Sequence, residues 1–403
     1  MIADDLLRAV IEHPGDNAVR LVLADAWIQA GDPRGELIAR QCATPPDRAP
    51  ELVEQVRPLW QEVLGAEVTE FHFDRGMPFS AQVWVANTDG DALAPLDLAP
   101  LEHVALRFDE DSIERDPAAH WFARDPRTSR IRTLDLTWER WDSEALHAIL
   151  AADLRGVRAL AIGDYDSQLH AAHALIASTT LAPESLAVYG DSYGDFTEGL
   201  ALLAEWPRSA TIEQLTLDNT GLGPEAARSI ASSPHFANLR SLGLTGGSNT
   251  TNRIGDAGLV ALARSPHLDK LEDLVVVLNE IGDEGVLALA DPSVLPALTS
   301  IALNGCRFSC EAFIRLVEAR PFRSLYVGGC FEIGDAGVTA LARSPHVRGL
   351  QGLNLYGADV GADGIHALIA SPIEKLEYLG IKADPELTQL LVDRFGAAAV
   401  AGA

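Results

Sequence analysis

The groups in this 403-residue chain that could do chemistry are four cysteines, eleven histidines and a set of polar and aromatic residues at regular spacing. Asn279, Cys306 and Cys330 each stand three residues after the last apolar residue of an L-x-x-L-x-L run, and Thr220 does the same. A small polar side chain recurring there fits an inward turn, where buried backbone groups need hydrogen-bond partners. This spacing makes Cys306 and Cys330 neighbours. They read either as small buried thiols or as a redox or metal pair, which needs a low thiol pKa. Cys310 falls where Asp256 and Asp335 begin helices, a place where a thiol pKa can fall, but no base accompanies it. His170 and His173 are three residues apart, with no third ligand to complete a zinc site. His235, His267 and His346 each follow a Ser-Pro at the end of a helix, where an imidazolium suits the helix dipole. G-x-S-x-G, Walker, G-x-G-x-x-G and H-E-x-x-H motifs do not occur. The expectation is no catalytic residue, no metal and no cofactor.

These residues are positioned by a repeated element, clearest in Leu274 to Pro292, LVVVLNEIGDEGVLALADP. A strand carrying Leu271, Leu274 and Val276 turns at Asn279 into a helix carrying Ile281, Val286, Leu289 and Ala290, the spacing of one buried face. Copies read IGDAGLVALARSP at 254–266, IGDAGVTALARSP at 333–345, VGADGIHALIASP at 360–372 and LGPEAARSIASSP at 222–234. One such unit cannot bury its own apolar face, whereas stacked units share a continuous core. The central strand positions run Val104, Leu134, Leu160, Leu186, Leu215, Leu242, Leu274, Ile301, Leu325, Leu353 and Leu379, on average 27.5 residues apart.

That period, with a full helix per unit, resembles ribonuclease-inhibitor-type leucine-rich repeats over residues 95–383. The resemblance implies an α/β solenoid shaped as a horseshoe, with a parallel sheet on the concave side and helices outside. Residues between and just after the strand leucines then face the concave side: Tyr189, Asp218, Asp273, Asn304, Tyr326, Tyr356, Tyr378 and Lys382. Tyr326, Tyr356 and Tyr378 lie in three successive repeats. They read as a binding hot spot, or as aromatics that simply favour strands. Two irregular rim segments add candidates. Trp138 and Trp141 fall in a loop that other repeats make small or polar, and Gly246 to Arg253 lengthens another turn.

Ahead of the repeats, residues 1–65 read as four helices. The first carries Leu6, Leu7, Val10 and Ile11. The second is capped by Asp16 and carries Val19, Val22, Leu23 and Trp27, and Pro33 opens a third. Leu-Ala-Asp at 23–25 and Gly-Asp-Pro-Arg-Gly-Glu at 31–36 resemble the bacterial repeat-companion domain that precedes leucine-rich repeats; here Ala26 separates Asp25 from Trp27. Residues 66–94 hold a strand pair that caps the repeats. Residues 384–403 hold a capping helix with Leu387, Leu390, Leu391 and Phe395, followed by an Ala/Gly tail expected to fray.

Composition bounds the function. A formal charge of −27, from 31 basic and 58 acidic residues, disfavours nucleic acid as a partner. No run is long and apolar enough for a membrane span, Met1-Ile-Ala-Asp-Asp is not a secretory signal, and four cysteines make no disulfide framework. A monomer in a reducing cytoplasm is expected. The reading is a protein or peptide partner on the concave face. The alternatives are a regulator of an enzyme, such as a GTPase-activating protein, by fold analogy alone, or a structural spacer.

Overall fold

The computed structural model describes residues 2–66, 68–85, 93–108, 115–137, 141, 143–164, 168–190, 195–247 and 252–401. They form two compact units, residues 1–163 with 177–182, and residues 164–176 with 183–403.

The first unit begins with helices α1 (Ile2–Glu12), α2 (Asn17–Gln29), α3 (Pro33–Gln41) and α4 (Pro50–Leu64). Asp16 caps α2 by accepting from Ala18 N at 2.8 Å, and Asp32 caps α3 by accepting from Arg34 N at 3.0 Å. The Gly-Asp-Pro-Arg-Gly-Glu motif joins α2 to α3. The Arg34 guanidinium meets Asp32 at 2.5 Å and lies over the rings of Trp27 and Trp60, 4.6 and 5.1 Å from their centroids. Gly35 lets the helices touch: a Cβ there would stand 2.5 Å from Ala24 O and 2.8 Å from Ile28 N. One expectation for α2 fails. Val22 is 54% exposed, and Arg20 points inward instead. The Arg20 guanidinium donates to Pro14 O at 2.8 Å and to Asp74 O at 3.4 Å. A guanidinium placed inward thus has carbonyl partners, with Pro14 O shared with Arg75, and these hydrogen bonds outweigh burial of a valine.

Strands β1 (Val68–Asp74) and β2 (Met77–Val85) form an antiparallel hairpin around Arg75-Gly76. β2, β3 (His103–Phe108), β4 (Thr133–Leu136) and β5 (Ala159–Asp164) then pair in parallel.

The second unit contains β6 (Ser185–Gly190), β7 (Gln214–Asp218), β8 (Ser241–Gly243), β9 (Asp273–Val275), β10 (Ser300–Ala302), β11 (Ser324–Tyr326), β12 (Gly352–Asn354) and β13 (Tyr378–Gly380). All pair in parallel, in sequence order. Their central residues, from Leu186 to Leu379, stand opposite one another and are buried, each stabilising the fold by roughly 1.5–3 kcal/mol. A helix follows each strand, for example Asp283–Leu289 after β9 and Cys310–Ala319 after β10.

Polar ties run from each repeat of this unit to the next. Asp256 Oδ1 accepts from Gly282 N at 2.7 Å and Gly285 N at 3.0 Å, so an aspartate opening one helix caps the following one. Asp335 does the same for Gly361 and Gly364, and Asp283 accepts from Ser309. In the Ser-Pro-His segments, Ser265 Oγ donates to Ala231 O and Ser344 Oγ to Val317 O, in each case the preceding repeat. Each serine also accepts the N–H of the histidine two residues on, which is why serine and histidine recur together.

The helix Pro385–Phe395 closes this unit, and residues 396–401 beyond it are held against β13 where fraying was expected. Leu379 N donates to Ala399 O at 2.7 Å and Ala401 N to Leu379 O at 2.9 Å. Val400 is buried, and the tail covers the open edge of β13 with backbone hydrogen bonds alone.

Candidate partner-binding face

The turn after each strand sets the geometry of the face. Thr220, Asn279, Cys306 and Cys330 all point inward and are buried, as the spacing predicts. Asn279 Nδ2 donates to Leu244 O of the preceding repeat at 2.5 Å, and its Oδ1 accepts from Ile254 N at 3.2 Å. The Cys306 thiol donates to Val276 O at 3.4 Å, and that of Cys330 to Leu303 O at 3.2 Å. The thiols thus take the asparagine's role toward the preceding strand. Burial, and then the neighbouring Cys306, push the Cys330 thiol up to about 12. Burial also raises Cys310, although it sits at a helix start; in place of the capping aspartate it presents its thiol to Gly337.

The segment 246–253 holds another rung that the sequence reading treated only as loop. Asn252 is fully buried, its Oδ1 accepting from Thr220 N at 3.2 Å and Leu222 N at 3.0 Å, and its Nδ2 donating to Leu217 O at 2.5 Å. Residues 248–251 of that segment lie outside the described residues. The signal was present: Asn252-Arg253-Ile254 repeats the frame of Asn279-Glu280-Ile281.

Strand alternation and the paired registers arrange the outward positions of β6–β13 in three rows. The first runs Ser185, Gln214, Ser241, Asp273, Ser300, Ser324, Gly352, Tyr378. The second runs Ala187, Thr216, Gly243, Val275, Ala302, Tyr326, Asn354, Gly380. The third, just past most of the strand ends, runs Tyr189, Asp218, Thr245, Val277, Asn304, Gly328, Tyr356, Lys382.

Tyr189, Asp218, Asp273, Asn304, Tyr326, Tyr356, Tyr378 and Lys382 therefore share one face, but not one cluster. Tyr326 and Tyr378 meet edge to face, with ring centroids 6.0 Å apart and planes at 81°. They meet above β12 because the intervening residue is glycine: a Cβ on Gly352 would stand 2.7 Å from Tyr326 Oη. Tyr356 stays outside this pair and is 64% exposed. Asp218 accepts from Thr245 N at 3.0 Å and Asn304 from Gly328 N at 2.6 Å, so both side chains also tie neighbouring strands together. Burial raises the Asp218 carboxyl above its ordinary range against those hydrogen bonds.

Of the two tryptophans expected on the rim, Trp141 does not lie on a contact surface. Trp138 lies outside the described residues. Trp141 is buried, its indole N–H donating to Leu136 O at 2.8 Å, so it plugs the end of β4 from within. A large ring finds more apolar area there than on a rim.

Three face residues went unnoticed in the sequence. Val275 and Val277 point outward from β9, with Val275 standing between Gly243 and Ala302. The run Val275-Val276-Val277-Leu278 reads as core, yet only Val276 belongs to it. Leu278, 43% exposed, adopts φ +56°. The equivalent residues are Asn219, Gly305, Gly329 and Gly357, also at positive φ. This left-handed backbone costs a residue with a Cβ roughly 1–2 kcal/mol, and Leu278 is held in it by its N–H bond to Asn304 O.

A family model described as "Leucine Rich repeat" matches residues 267–290, the repeat that contains β9. Comparison with curated protein sequences gives no match. Among solved structures, the chain is similar to the yeast Rad7 and Elc1 complex, at 11% identity over 70% of this chain and 82% of that one, with a TM-score of 0.42. It is also similar to an internalin, InlF, from Listeria monocytogenes, at 14% identity over 88% of this chain and 95% of that one, again with a TM-score of 0.42. No helix among the described residues is long and apolar enough to cross a membrane. Strand, inward polar turn and helix, recurring with the matched repeat among them, make the fold a leucine-rich repeat solenoid.

Proposed function

We propose that the chain is a protein-interaction module whose partner docks on the outward face of β6–β13. The observation that carries this reading is the aromatic group at one end. Tyr326 and Tyr378 meet edge to face over Gly352, and Tyr356 stands exposed one strand from Tyr326. Rings held by one another lose little side-chain freedom on binding, and glycine, serine and alanine around them leave room for a partner. Residues 1–65 serve as a companion domain of the repeats, with the motif at 31–36 spent on joining α2 to α3.

A photo-crosslinking residue in place of Tyr356, expressed in the native host, tests this against the same residue in place of Leu287, exposed on a helix. A discrete adduct is expected from position 356 only. Replacing Tyr326 and Tyr378 by alanine should weaken that adduct by at least about 1 kcal/mol of binding, with stability changed by less than about 0.5 kcal/mol. A doubly substituted chain that melts normally and crosslinks at full strength places the partner elsewhere.

A further inference from the structure

The proposed partner face has a second focus, four strands from its β13 edge. Val275 stands out from β9 between Gly243 and Ala302, Val277 follows it in the row between Thr245 and Asn304, and Leu278 adds an exposed side chain at the strand end. Leu278 lies over Gly305: a Cβ built on that glycine would come 2.4 Å from Leu278 Cδ2. The three residues place apolar side chains within four positions of one strand and its turn, and the strained backbone of Leu278 holds the last of them in place. Asparagine or glycine fills that position in other repeats, so the fold does not require leucine there.

Charge around the patch is one-sided. Asp273 stands two residues before Val275 on the same face, and Asp218 lies two strands from Val277 in its row. The acidic groups on the rims already hold cations: Arg240 bridges Glu213 and Glu272, and Arg253 meets Glu280. Among the described residues no cation pairs with Asp218 or Asp273. The cation among the three rows, Lys382, lies just past β13, four strands from β9.

Resting on the docking face proposed above, we propose that its partner presents a short segment with an apolar side chain flanked by lysine or arginine. The apolar group sits on Val275, Val277 and Leu278, and the cations sit at Asp273 and Asp218. Coulombic attraction on a half-buried face is stronger than in bulk water, so the carboxylates select for charge while the patch supplies most of the affinity.

The test selects a phage-displayed library of random twelve-residue peptides on the purified full chain. Enriched sequences should place a lysine or arginine within two residues of Leu, Ile, Val or Phe. For a synthetic peptide of that pattern, Leu278→Gly and Val277→Asn should each weaken binding about tenfold. Leu278→Gly should not lower the melting temperature, because the strain is relieved, and this separates lost binding from lost folding. Asp273→Asn should weaken binding several-fold and flatten its salt dependence. Enrichment of peptides without the pattern, of none, or of patterned peptides indifferent to all three substitutions overturns the inference. Peptides indifferent to these changes but lost on replacing Tyr326 and Tyr378 leave the docking face standing and remove only this partner assignment. Peptides indifferent to both sets remove both.

Discussion

The α2–α3 junction and the repeats of β6–β13 are held together in opposite ways. At the junction, one guanidinium, two indole rings, one carboxylate and one close-contact glycine meet, and no other described segment brings all of them together. Along the repeats the same rung recurs, filled in turn by Thr220, Asn252, Asn279, Cys306, Cys330 and Ala358, all buried. Serial contacts tolerate a change of chemistry at any one rung because each rung serves only its neighbours. A unique contact set tolerates much less. The lesson is that a repeat fold leaves individual positions free to differ, and Leu278 carries an exposed apolar side chain where other repeats carry asparagine or glycine.

The largest effect should come from breaking the serial core itself. Leu274→Asp puts an unpaired carboxylate among residues that have no polar partner to offer, at a cost of roughly 5 kcal/mol. Because Leu242 and Ile301 flank it directly, the loss should spread to adjacent repeats. Hydrogen exchange should show protection falling in β8, β9 and β10 together. Loss confined to β9 would mean that the repeats are energetically independent, and the contrast with the junction would fail.

The junction should fail locally. Gly35→Val forces α2 and α3 apart against Ala24 O and Ile28 N, at a cost of roughly 3 kcal/mol. Protection should drop in α2 and α3 while β6–β13 keep theirs. Equal loss in the repeats would show that the helical region is not an independent unit of stability.

The repeats were legible in the sequence because burial imposes a period, and the period survives even where side chains change. Every central strand position from Val104 to Leu379 reads correctly for this reason. The face was legible only in part. Alternation placed the tyrosines, but it does not say that Tyr326 reaches Tyr378 across Gly352, which depends on ring direction and on a missing Cβ. Val275 and Val277 were hidden because a valine looks the same to a hydrophobic pattern whether it faces in or out. Trp141 reads as rim because other repeats place small or polar residues there, and the carbonyl that holds its indole is visible only in three dimensions. The tail was misread because pairing through backbone alone leaves no trace in Ala and Gly.

The two regions should also differ in their response to pH. At the junction, burial pushes Asp32 up, but its hydrogen bonds and charge pairing with Arg34 outweigh this and hold it below its ordinary 3.8. Its contribution is present above that value and fades as pH falls. The rungs behave in the opposite sense. Cys330, with an ordinary value of 9.0, is raised to about 12, and Cys306 is also raised by burial. The folded chain holds these protons more tightly than the unfolded chain does. Their contribution is therefore complete below pH 9 and is lost as pH rises toward 12. At pH 10.5, midway through that window, an unfolded thiol has largely ionised while the folded one has not, a loss on the order of 2 kcal/mol from Cys330. Other groups titrate there too, so the measurement is a difference between two chains. Cys330→Ala places on this rung the residue that already fills the next one, Ala358. The urea midpoint of the native chain should fall further between pH 8 and pH 10.5 than that of the alanine chain. The thiol itself should react slowly with a thiol reagent at pH 8 while the half-buried Cys42 reacts faster. Parallel midpoints in the two chains, or prompt labelling of Cys330 in the folded state, would show that this rung is open to solvent and that the ladder is looser than the buried geometry implies.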